Sequence, residues 1–338
     1  MPTPQSPEWY ASVKEEIIDP DRPIIDPHHH LWTIPSPMWG RYELEELWGD
    51  TESGHNIEKT IFMECRSNYR EDAPIHLQSL GETEYVAGVA AESAKVEGKA
   101  TIAGIIGFVD MRLGSGVEEI LAAHEEAGQG LFRGIRHGGA CDETGTLKNA
   151  GRPDRSPPGL YADADFRQGV KRLGELGYTY DTWHFFHQNR DYLALAKAVP
   201  DTPMIFDHFG VPLGVGAYEG KQEEIFPQWK EDVAAIAECP NVIAKLGGLA
   251  MPDNGFGWHL NERPPTSDEF VAAQARYYLH TIECFGPERC MFESNYPVDR
   301  LSVSYHVIWN GMKKIVADFS EDEKHAMFYG TATRIYRV

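Results

Sequence analysis

Short apolar runs recur along the whole chain, and segments with helical periodicity separate most of them. Eight of these runs carry the β-branched and aromatic residues typical of strands. They are PIIDPHH from residue 23, KTIFMEC from 59, TIAGIIGFVDM from 101, LFRGIRH from 131, YTYDTW from 178, PMIFDHFG from 203, NVIAKLGG from 241 and RCMFESNYP from 289. Apolar positions repeating every three to four residues predict helices between the later runs, as in VEEILAAHEEAG and SDEFVAAQARYYLHTIECFG.

This alternation predicts one closed barrel. Nearly continuous apolar strands that alternate with helices indicate a parallel sheet covered on its outer face, and eight such units indicate a (β/α)8 TIM barrel. No low-complexity linker divides the sequence, so we expect a single domain over residues 1–338. Two connections are too long for simple turns, at about 138–162 and 250–267. Each follows a strand, so we expect both on the catalytic face.

Side chains capable of chemistry stand at the ends of the predicted strands. Active sites of such barrels form where the strands end. In DPHHHLW, His28 and His30 are two residues apart, which on a strand places both side chains on one face, whereas His29 points away and is expected to pack. His208 directly follows the run MIFD. The sequence therefore predicts three imidazoles, those of His28, His30 and His208, at the mouth of the barrel.

Charged and aromatic residues at other strand ends are candidates for substrate binding. They are Glu64, Arg66, Arg136, His137, Trp183 and His184. An unpaired Arg136 would be costly inside a barrel, so it requires either an ion pair with Glu64 or an anionic group of the substrate. Either His184 or His187 faces the mouth, with His184 preferred. Lys245 falls on the seventh strand, where its side chain points to the interior or to the helix layer.

The overall charge narrows the range of partners. The 338-residue chain has a formal net charge of −21, which repels nucleic acid and anionic membrane surfaces. No apolar run approaches the ~20 residues of a membrane-spanning helix, and the N-terminal stretch lacks a secretory pattern. The five cysteines are scattered without C-x-x-C spacing, which suits reduced thiols. These features predict a cytoplasmic protein with a small-molecule substrate, and a homo-oligomer is compatible with them.

Five of the motifs together resemble the amidohydrolase superfamily, and within it the amidohydrolase-2 branch of sugar-lactone and 2-pyrone-4,6-dicarboxylate lactonases. IIDPHHHLW is similar to the first-strand D-x-H-x-H motif, FRGIR to the fourth-strand motif, MIFDHFG to the sixth-strand D-H-x-G, NVIAKLGGL to the seventh-strand K-x-S-G and RCMFESNYPVD to the eighth-strand F-G-S-D-W-P. The resemblance implies an amidohydrolase-type barrel. It also implies that His28, His30 and His208 bind one divalent metal ion or polarise a scissile carbonyl directly, and that Arg136 lies near bound substrate carboxylate or hydroxyl groups.

The eighth-strand motif departs from the family pattern. The resemblance assigns a general base or a metal ligand to an aspartate whose counterpart here is Asn295. A carboxamide does not accept a proton at neutral pH and is a weak metal ligand, so another group must replace the aspartate. Glu293 and Asp299 are the candidates, with Asp299 preferred. Two alternatives stay open, a metal-free site and a site in which the three histidines hold one divalent ion, with zinc favoured.

The preferred hypothesis is a hydrolase of a small cyclic ester such as a lactone. The three histidines polarise the ring carbonyl, Arg136 anchors the substrate, Asn295 orients water and Asp299 assists its attack. One alternative is a metal-dependent nonoxidative decarboxylase of an aromatic acid, which the loss of the aspartate disfavours. The other is a catalytically inactive barrel that binds a metabolite, which the intact histidine set disfavours.

Overall fold

Eight parallel strands form the centre of the molecule, in the order in which they follow one another along the chain. The structure is a computed structural model that describes residues 3–36, 40–142, 144–145, 147 and 155–338. The strands are β1 (Pro23–His29), β2 (Trp32–Ser36), β3 (Gly40–Tyr42), β4 (Asn56–Met63), β5 (Thr101–Gly107), β6 (Phe132–Arg136), β7 (Thr179–Asp181), β8 (Met204–Phe206), β9 (Val242–Leu246) and β10 (Cys290–Phe292). The strands β2 and β3 form a separate antiparallel hairpin, and the other eight form the barrel. The segment after β10 returns to β1, where the His30 amide donates to the Tyr296 carbonyl at 2.8 Å. The predicted (β/α)8 barrel is therefore confirmed.

Helices connect and cover the strands. They are α1 (Pro7–Tyr10), α2 (Leu44–Thr51), α3 (Leu80–Ser93), α4 (Val117–Ala127), α5 (Ala164–Glu175), α6 (Asn189–Ala198), α7 (Gln222–Ala237), α8 (Ser267–Phe285), α9 (Tyr305–Ile315), α10 (Glu321–His325) and α11 (Thr331–Tyr336). Local sequence fixes their ends. The α8 helix, for example, begins with a capping box in which Thr266 and Glu269 each accept the other's backbone N–H. None of the described helices is both long enough and apolar enough to cross a membrane.

Alternation along the strands builds the barrel interior in layers. The lower layer is a cluster of apolar side chains that includes Ile25, Ile61, Met63, Ile106, Ile205, Ile243 and Met291. Ala332 and Tyr336 of α11 belong to the same cluster, so α11 covers the barrel below this layer. Because side chains alternate along a strand, the residue two positions after Ile205, Ile243 or Met291 also points inward. This parity carries Asp207, Lys245 and Glu293 into the layer above.

The structure refines the predicted elements in several places. All eight predicted strands are present, whereas the pattern did not indicate the β2–β3 hairpin or the helices α9 to α11 that follow the last strand. The predicted long connection at 250–267 contains two short 3-10 helices, Pro252–Asn254 and Trp258–Leu260. Of the connection at 138–162, residues 143, 146 and 148–154 lie outside the described residues. The single-domain organisation stays a prediction.

Candidate active site

Two imidazoles and a carboxylate meet at the centre of the barrel. Nδ1 of His28 lies 2.6 Å from Oε2 of Glu293, and Nδ1 of His208 lies 2.7 Å from Oε1 of the same carboxylate. The two imidazole rings have centroids 4.6 Å apart. His28 comes from the end of β1, His208 follows β8 and Glu293 follows β10, so three different strand ends build this group.

His30 stands beside His28 with its orientation fixed by the backbone. The ring centroids of His28 and His30 are 5.0 Å apart, and Nδ1 of His30 lies 2.9 Å from the Met63 carbonyl. A carbonyl only accepts hydrogen bonds, so Nδ1 of His30 carries the proton and Nε2 of this neutral imidazole keeps a lone pair. The structure thus brings the three predicted histidines together.

Arg136 links this group to the next strand. Its Nε lies 3.1 Å from Oε1 of Glu64 and its Nη2 donates to the Glu64 carbonyl at 2.5 Å, which is the ion pair considered from the sequence. Its Nη1 lies 3.3 Å from Nε2 of His28. A guanidinium only donates hydrogen bonds, so Nε2 of His28 is the acceptor and carries no proton.

Lys245 points into the barrel interior, which decides the orientation that the sequence left open. Its Nζ lies 2.8 Å from Oδ2 of Asp181 and 3.4 Å from Oδ1 of Asp207. The Tyr336 hydroxyl of α11 donates to the same Asp181 oxygen at 2.6 Å. Burial lowers the pKa of Lys245, but Asp181, Asp207 and Glu293 outweigh it and raise the pKa above its usual value. Lys245 is therefore a buried ammonium surrounded by carboxylates.

Burial keeps the imidazoles neutral. Removal from water lowers the pKa of His28 and of His30 well below the usual value, and neighbouring positive charges act in the same direction. Burial likewise lowers the pKa of His208 to about 3, against the opposing effect of Asp207. A neutral imidazole offers a lone pair as well as an N–H, so these residues can accept protons or bind a cation.

The carboxylates of Asp207 and Glu293 share their nearest positive charges with other carboxylates. Arg136 is paired with Glu64, and the one ammonium of Lys245 lies closest to Asp181. Burial, opposed by Lys245 and reinforced by neighbouring carboxylates, raises the pKa of Asp207 to about 7 and that of Glu293 to about 8. Such carboxyl groups are either protonated or compensated by a bound cation.

The residues present fit a divalent metal ion. His28, Asp207 and His208 each bring one ligand atom to within 4.8 Å of the others. The Asp207 and Glu293 oxygens and Nδ1 of both imidazoles are buried without a hydrogen bond of favourable direction, although the carboxylate of Glu293 is close to both nitrogens. Imidazole and carboxylate are ligands that zinc takes in proteins. Asp181, Asp207 and Glu293 share the one ammonium of Lys245, so a divalent ion would also match their excess of negative charge.

A small cavity of about 150 Å³ lies beside the histidines. Among the described residues it is lined by Glu64, Cys65, Phe108, Arg136, His137, Gly138, Arg155, Ser156 and Trp183. The Arg155 guanidinium lies 3.7 Å from the centroid of the Phe108 ring, and Trp183 forms another wall. Arg136 contacts both the cavity and His28, so it joins the space for a ligand to the imidazole centre.

Several predicted residues have other surroundings. His184 is buried against Tyr192, with Nε2 at 3.0 Å from Oδ1 of Asn189, and does not join the imidazole group. His137 lines the cavity, accepting from the Met111 amide and contacting the Arg155 carbonyl at 2.8 Å. Arg66 is exposed and lies outside the cavity lining.

Asn295, the counterpart of the family's aspartate, is bound to Asp299, the residue preferred as its replacement. Nδ2 of Asn295 donates to Oδ1 of Asp299 at 2.9 Å, and the Ala250 amide donates to Oδ2 at 3.2 Å. Asp299 is buried, which raises the pKa of its carboxyl well above the usual value. The carboxylate that contacts the histidines is instead Glu293, the alternative considered beside Asp299.

Sequence reasoning gave no role to Asp181 or Asp207. The signal that could have found Asp207 is parity, because it stands two positions after Ile205, as Glu293 stands two positions after Met291. Two positions before Asp181 stands Thr179, which is not part of the isoleucine layer, so the same count does not find Asp181.

Comparison with known proteins agrees with this architecture. A model of the amidohydrolase family matches residues 25–338, so the chain belongs to this family, and it is a hydrolase. The chain is 31% identical over 335 residues to the uncharacterized protein y4mH of Sinorhizobium fredii, covering 94% of this chain and 99% of that protein. It is 25% identical over 335 residues to an L-fucono-1,5-lactonase of Burkholderia multivorans, covering 93% and 96%.

Solved structures share the fold. An amidohydrolase from Burkholderia multivorans, crystallised with bound Hepes and in another crystal form with bound zinc, has a TM-score of 0.71 at 23% identity and covers 93% of this chain and 99% of its own. A 2,6-dihydroxybenzoate decarboxylase has a TM-score of 0.56 at 12% identity, covering 94% of this chain and 99% of its own. A hydrolase fold and a decarboxylase fold therefore share this barrel architecture, which by itself does not specify a substrate.

Proposed function

We propose that the protein hydrolyses the ring ester of a small lactone. The observation that carries the proposal is Arg136, whose guanidinium reaches from the cavity to the imidazole centre. A cavity of about 150 Å³ with polar and aromatic walls suits a small ring rather than a polymer. The relatives named L-fucono-1,5-lactonase and L-rhamnono-gamma-lactonase support this substrate class.

The chain's own groups account for the steps of such a hydrolysis. The lactone lies in the cavity with its carbonyl oxygen toward Arg136, whose N–H groups stabilise the oxyanion that forms when water attacks. His208 accepts the proton of that water at Nε2 and returns it to the ring oxygen when the C–O bond breaks. The product is an open-chain hydroxy acid. We assign the proton transfer to His208 rather than to Asp299 because the Asp299 carboxyl is hydrogen-bonded to Asn295 and the Ala250 amide.

A divalent ion would replace part of this scheme, because an imidazole that holds the ion with its lone pair cannot also accept the proton of the attacking water. His28, Asp207 and His208 would hold it, and its positive charge would polarise the ester carbonyl. With or without the ion, Arg136 and Arg155 line the cavity and are the groups that anchor the substrate. Elemental mass spectrometry of the protein as purified, before and after dialysis against a chelator, distinguishes the two alternatives. About one equivalent of zinc or manganese that leaves together with activity establishes the metal-assisted reaction.

A panel of five- and six-membered sugar lactones, with acid release followed by a pH indicator, tests the proposal. We expect saturable hydrolysis of at least one lactone, and its loss in His208→Asn protein that keeps the wild-type thermal unfolding midpoint. Aromatic hydroxy acids such as 2,6-dihydroxybenzoate are assayed in parallel for release of carbon dioxide. Decarboxylation without hydrolysis of any lactone would overturn the proposal.

A further inference from the structure

A second cavity, of about 810 Å³, lies between the N-terminal segment, the end of α2 and the start of α9. None of its described lining residues also lines the cavity beside the histidines. Sites for small molecules usually have volumes of about 300–1,000 Å³. The second cavity therefore has the size of a ligand site and is separate from the catalytic one.

The N-terminal segment forms one wall of this cavity and is fastened across the fold. The Tyr10 hydroxyl donates to the Arg300 carbonyl at 2.7 Å. Nε1 of Trp9 donates to the Asn261 carbonyl at 2.9 Å. This wall is therefore held by residues that are far away along the chain.

The guanidinium of Arg300 lines the cavity without a carboxylate partner. Its carbon lies 5.5 Å from the centroid of the Tyr10 ring and 6.0 Å from that of the Tyr42 ring. Burial lowers the pKa of Arg300, whereas Asp50 and the neighbouring tyrosines raise it. Within the described part of the chain, no carboxylate is close enough to form an ion pair with Arg300. Its N–H groups can therefore bind an anionic group of a ligand.

The start of α9 adds further donors to the same cavity. Ser304 precedes this helix and is 6% exposed, and its buried Oγ has no hydrogen-bond partner. The Ser304 side chain does not cap α9, and the amides of Tyr305 and His306 donate no hydrogen bond to a described acceptor. Free amides at a helix N-terminus attract anions. A ligand would also satisfy the Ser304 hydroxyl, since buried polar groups are ordinarily hydrogen-bonded.

A carboxylate lines the cavity from the end of α2. Oδ2 of Asp50 accepts from the Tyr42 hydroxyl at 2.8 Å, whereas Oδ1 receives no described hydrogen bond. Burial raises the pKa of Asp50 to about 6, against the opposing effect of Arg300, so the carboxyl is mostly ionised at neutral pH. Ser53 lines the same side, with a buried Oγ that has no partner. These groups accept hydroxyl hydrogens and repel a second negative charge.

We propose that this second cavity binds a small hydroxylated monocarboxylate, with its carboxylate between Arg300 and the start of α9 and its hydroxyl groups toward Asp50. A guanidinium matches a carboxylate through two parallel hydrogen bonds. A phosphate dianion would bring more negative charge toward Asp50 and is the weaker match. The proposal is independent of lactone hydrolysis, because binding is measured without turnover.

Isothermal titration calorimetry of the wild type, Arg136→Met and Arg300→Met tests the proposal. The ligands are D-gluconate, D-galactonate and D-glycerate, with D-glucitol as the uncharged counterpart and inorganic phosphate as the alternative anion. We expect at least one hydroxy acid to bind to Arg136→Met protein as it does to the second cavity of the wild type. Arg300→Met should weaken this binding by about 10- to 100-fold, the effect of removing a hydrogen bond to a charged group. D-Glucitol and phosphate should bind more weakly than the acid.

Two further variants separate the cavity from general effects of substitution. Arg276→Met is the matched control, because the Arg276 guanidinium also stacks on an aromatic ring, 4.3 Å from the Phe226 centroid, but lines neither cavity. It should bind the acid as the wild type does. Asp50→Asn keeps an acceptor for Tyr42 and removes the negative charge, so it should weaken binding of the hydroxy acid and strengthen that of phosphate.

Three results would overturn the proposal. The first is that none of the hydroxy acids binds to the wild type with a dissociation constant below about 10 mM. The second is binding that disappears in Arg136→Met and persists in Arg300→Met, which means that only the catalytic cavity is occupied. The third is tighter binding of phosphate than of every hydroxy acid by the wild type. Thermal unfolding midpoints establish that each variant folds, and if Arg300→Met does not, the comparison of ligands and Asp50→Asn decide.

Discussion

Arg136 contacts two different parts of the site through one guanidinium. The Glu64 carboxylate and carbonyl hold it on one side, and Nη1 reaches His28 on the other. A lysine has a single nitrogen and could not serve these partners together. Arg155 lines the same cavity, but its guanidinium stacks on Phe108 and lies 3.9 Å from Glu64, and among its described contacts there is none to His28, His30 or His208. The two arginines are therefore expected to act at different stages of the reaction.

Replacement of each arginine by methionine separates these stages. Arg136→Met removes the donors nearest the reacting carbonyl, so we expect kcat on the responsive lactone to fall on the order of 10²- to 10³-fold. Arg155→Met removes a group that binds without touching the centre, so KM should rise with a smaller change in kcat. Steady-state kinetics measures both, and urea unfolding checks that each variant is folded. An equal effect of both variants on kcat would contradict the assignment.

The same residue scale shows what the sequence could and could not decide about the site. Spacing on β1 was enough to bring His28 and His30 together, because parity on a strand is a local property. His208 was placed by its position after the sixth barrel strand, and there its backbone has a φ of +53° rather than a strand conformation. Local sequence could not decide between Glu293 and Asp299 as the carboxylate of the site. The choice depends on Asn295 and the Ala250 amide, which engage Asp299, and only the folded arrangement supplies both partners.

The first turn of α3 holds the loop that follows β4. The buried Glu82 carboxylate accepts the backbone amides of Ser67 at 2.6 Å and of Cys65 at 3.1 Å. One residue earlier, a Cβ atom at Gly81 would lie 2.4 Å from the Asn68 carbonyl oxygen. The same loop begins with Glu64, the partner of Arg136. Close packing at the start of one helix thus determines the position of a carboxylate at the site.

Two glycines in α3 test this packing. Gly81→Ala would force the helix away from the loop, and we expect it to destabilise the protein by about 1–3 kcal/mol, the usual range for overpacking. Gly88→Ala, in the same helix with nothing near its Cβ, should stabilise by about 0.5–1 kcal/mol because alanine is the better helix former. Urea unfolding measures both free energies. Similar values for the two variants would refute the tight contact at Gly81.

At the scale of the whole molecule, the buried charges connect distant parts of the chain. Lys245 of β9, Asp181 of β7 and Tyr336 of α11 form one network below the imidazoles. Lys245 and Asp181 are fully buried, so the loss of one charge would leave the other without compensation.

Lys245→Met should therefore lower the free energy of unfolding by about 3–5 kcal/mol, the range for breaking a buried pair. Lys314 supplies the comparison, since it pairs with Asp268 at 2.5 Å but the Asp268 side chain is 84% exposed. Lys314→Met should change stability by less than about 1 kcal/mol. Chemical unfolding of both variants at the same pH measures the two free energies of unfolding. Comparable losses would mean that burial does not set the strength of the Lys245 pair.

At this scale the sequence predicts the barrel but not which distant elements pack against it. Eight apolar runs with intervening helical patterns were sufficient to predict a closed parallel barrel, since few other folds bury such strands on both faces. The pattern could not indicate that α11 returns to the barrel, because an amphipathic helix does not specify which surface it covers. Nor could it indicate that Tyr336 meets Asp181, which is 155 residues away along the chain.

The contact between Tyr336 and Asp181 also has a dynamic consequence. Short helices ordinarily fray on fast timescales, and their amides exchange readily with solvent. Here, opening of α11 would remove the Tyr336 hydroxyl from Asp181 and admit water to the underside of Lys245. The amides of α11 should therefore exchange as slowly as those of the barrel strands, so that this six-residue helix reports, by its protection, on the integrity of the buried charges near the imidazole centre.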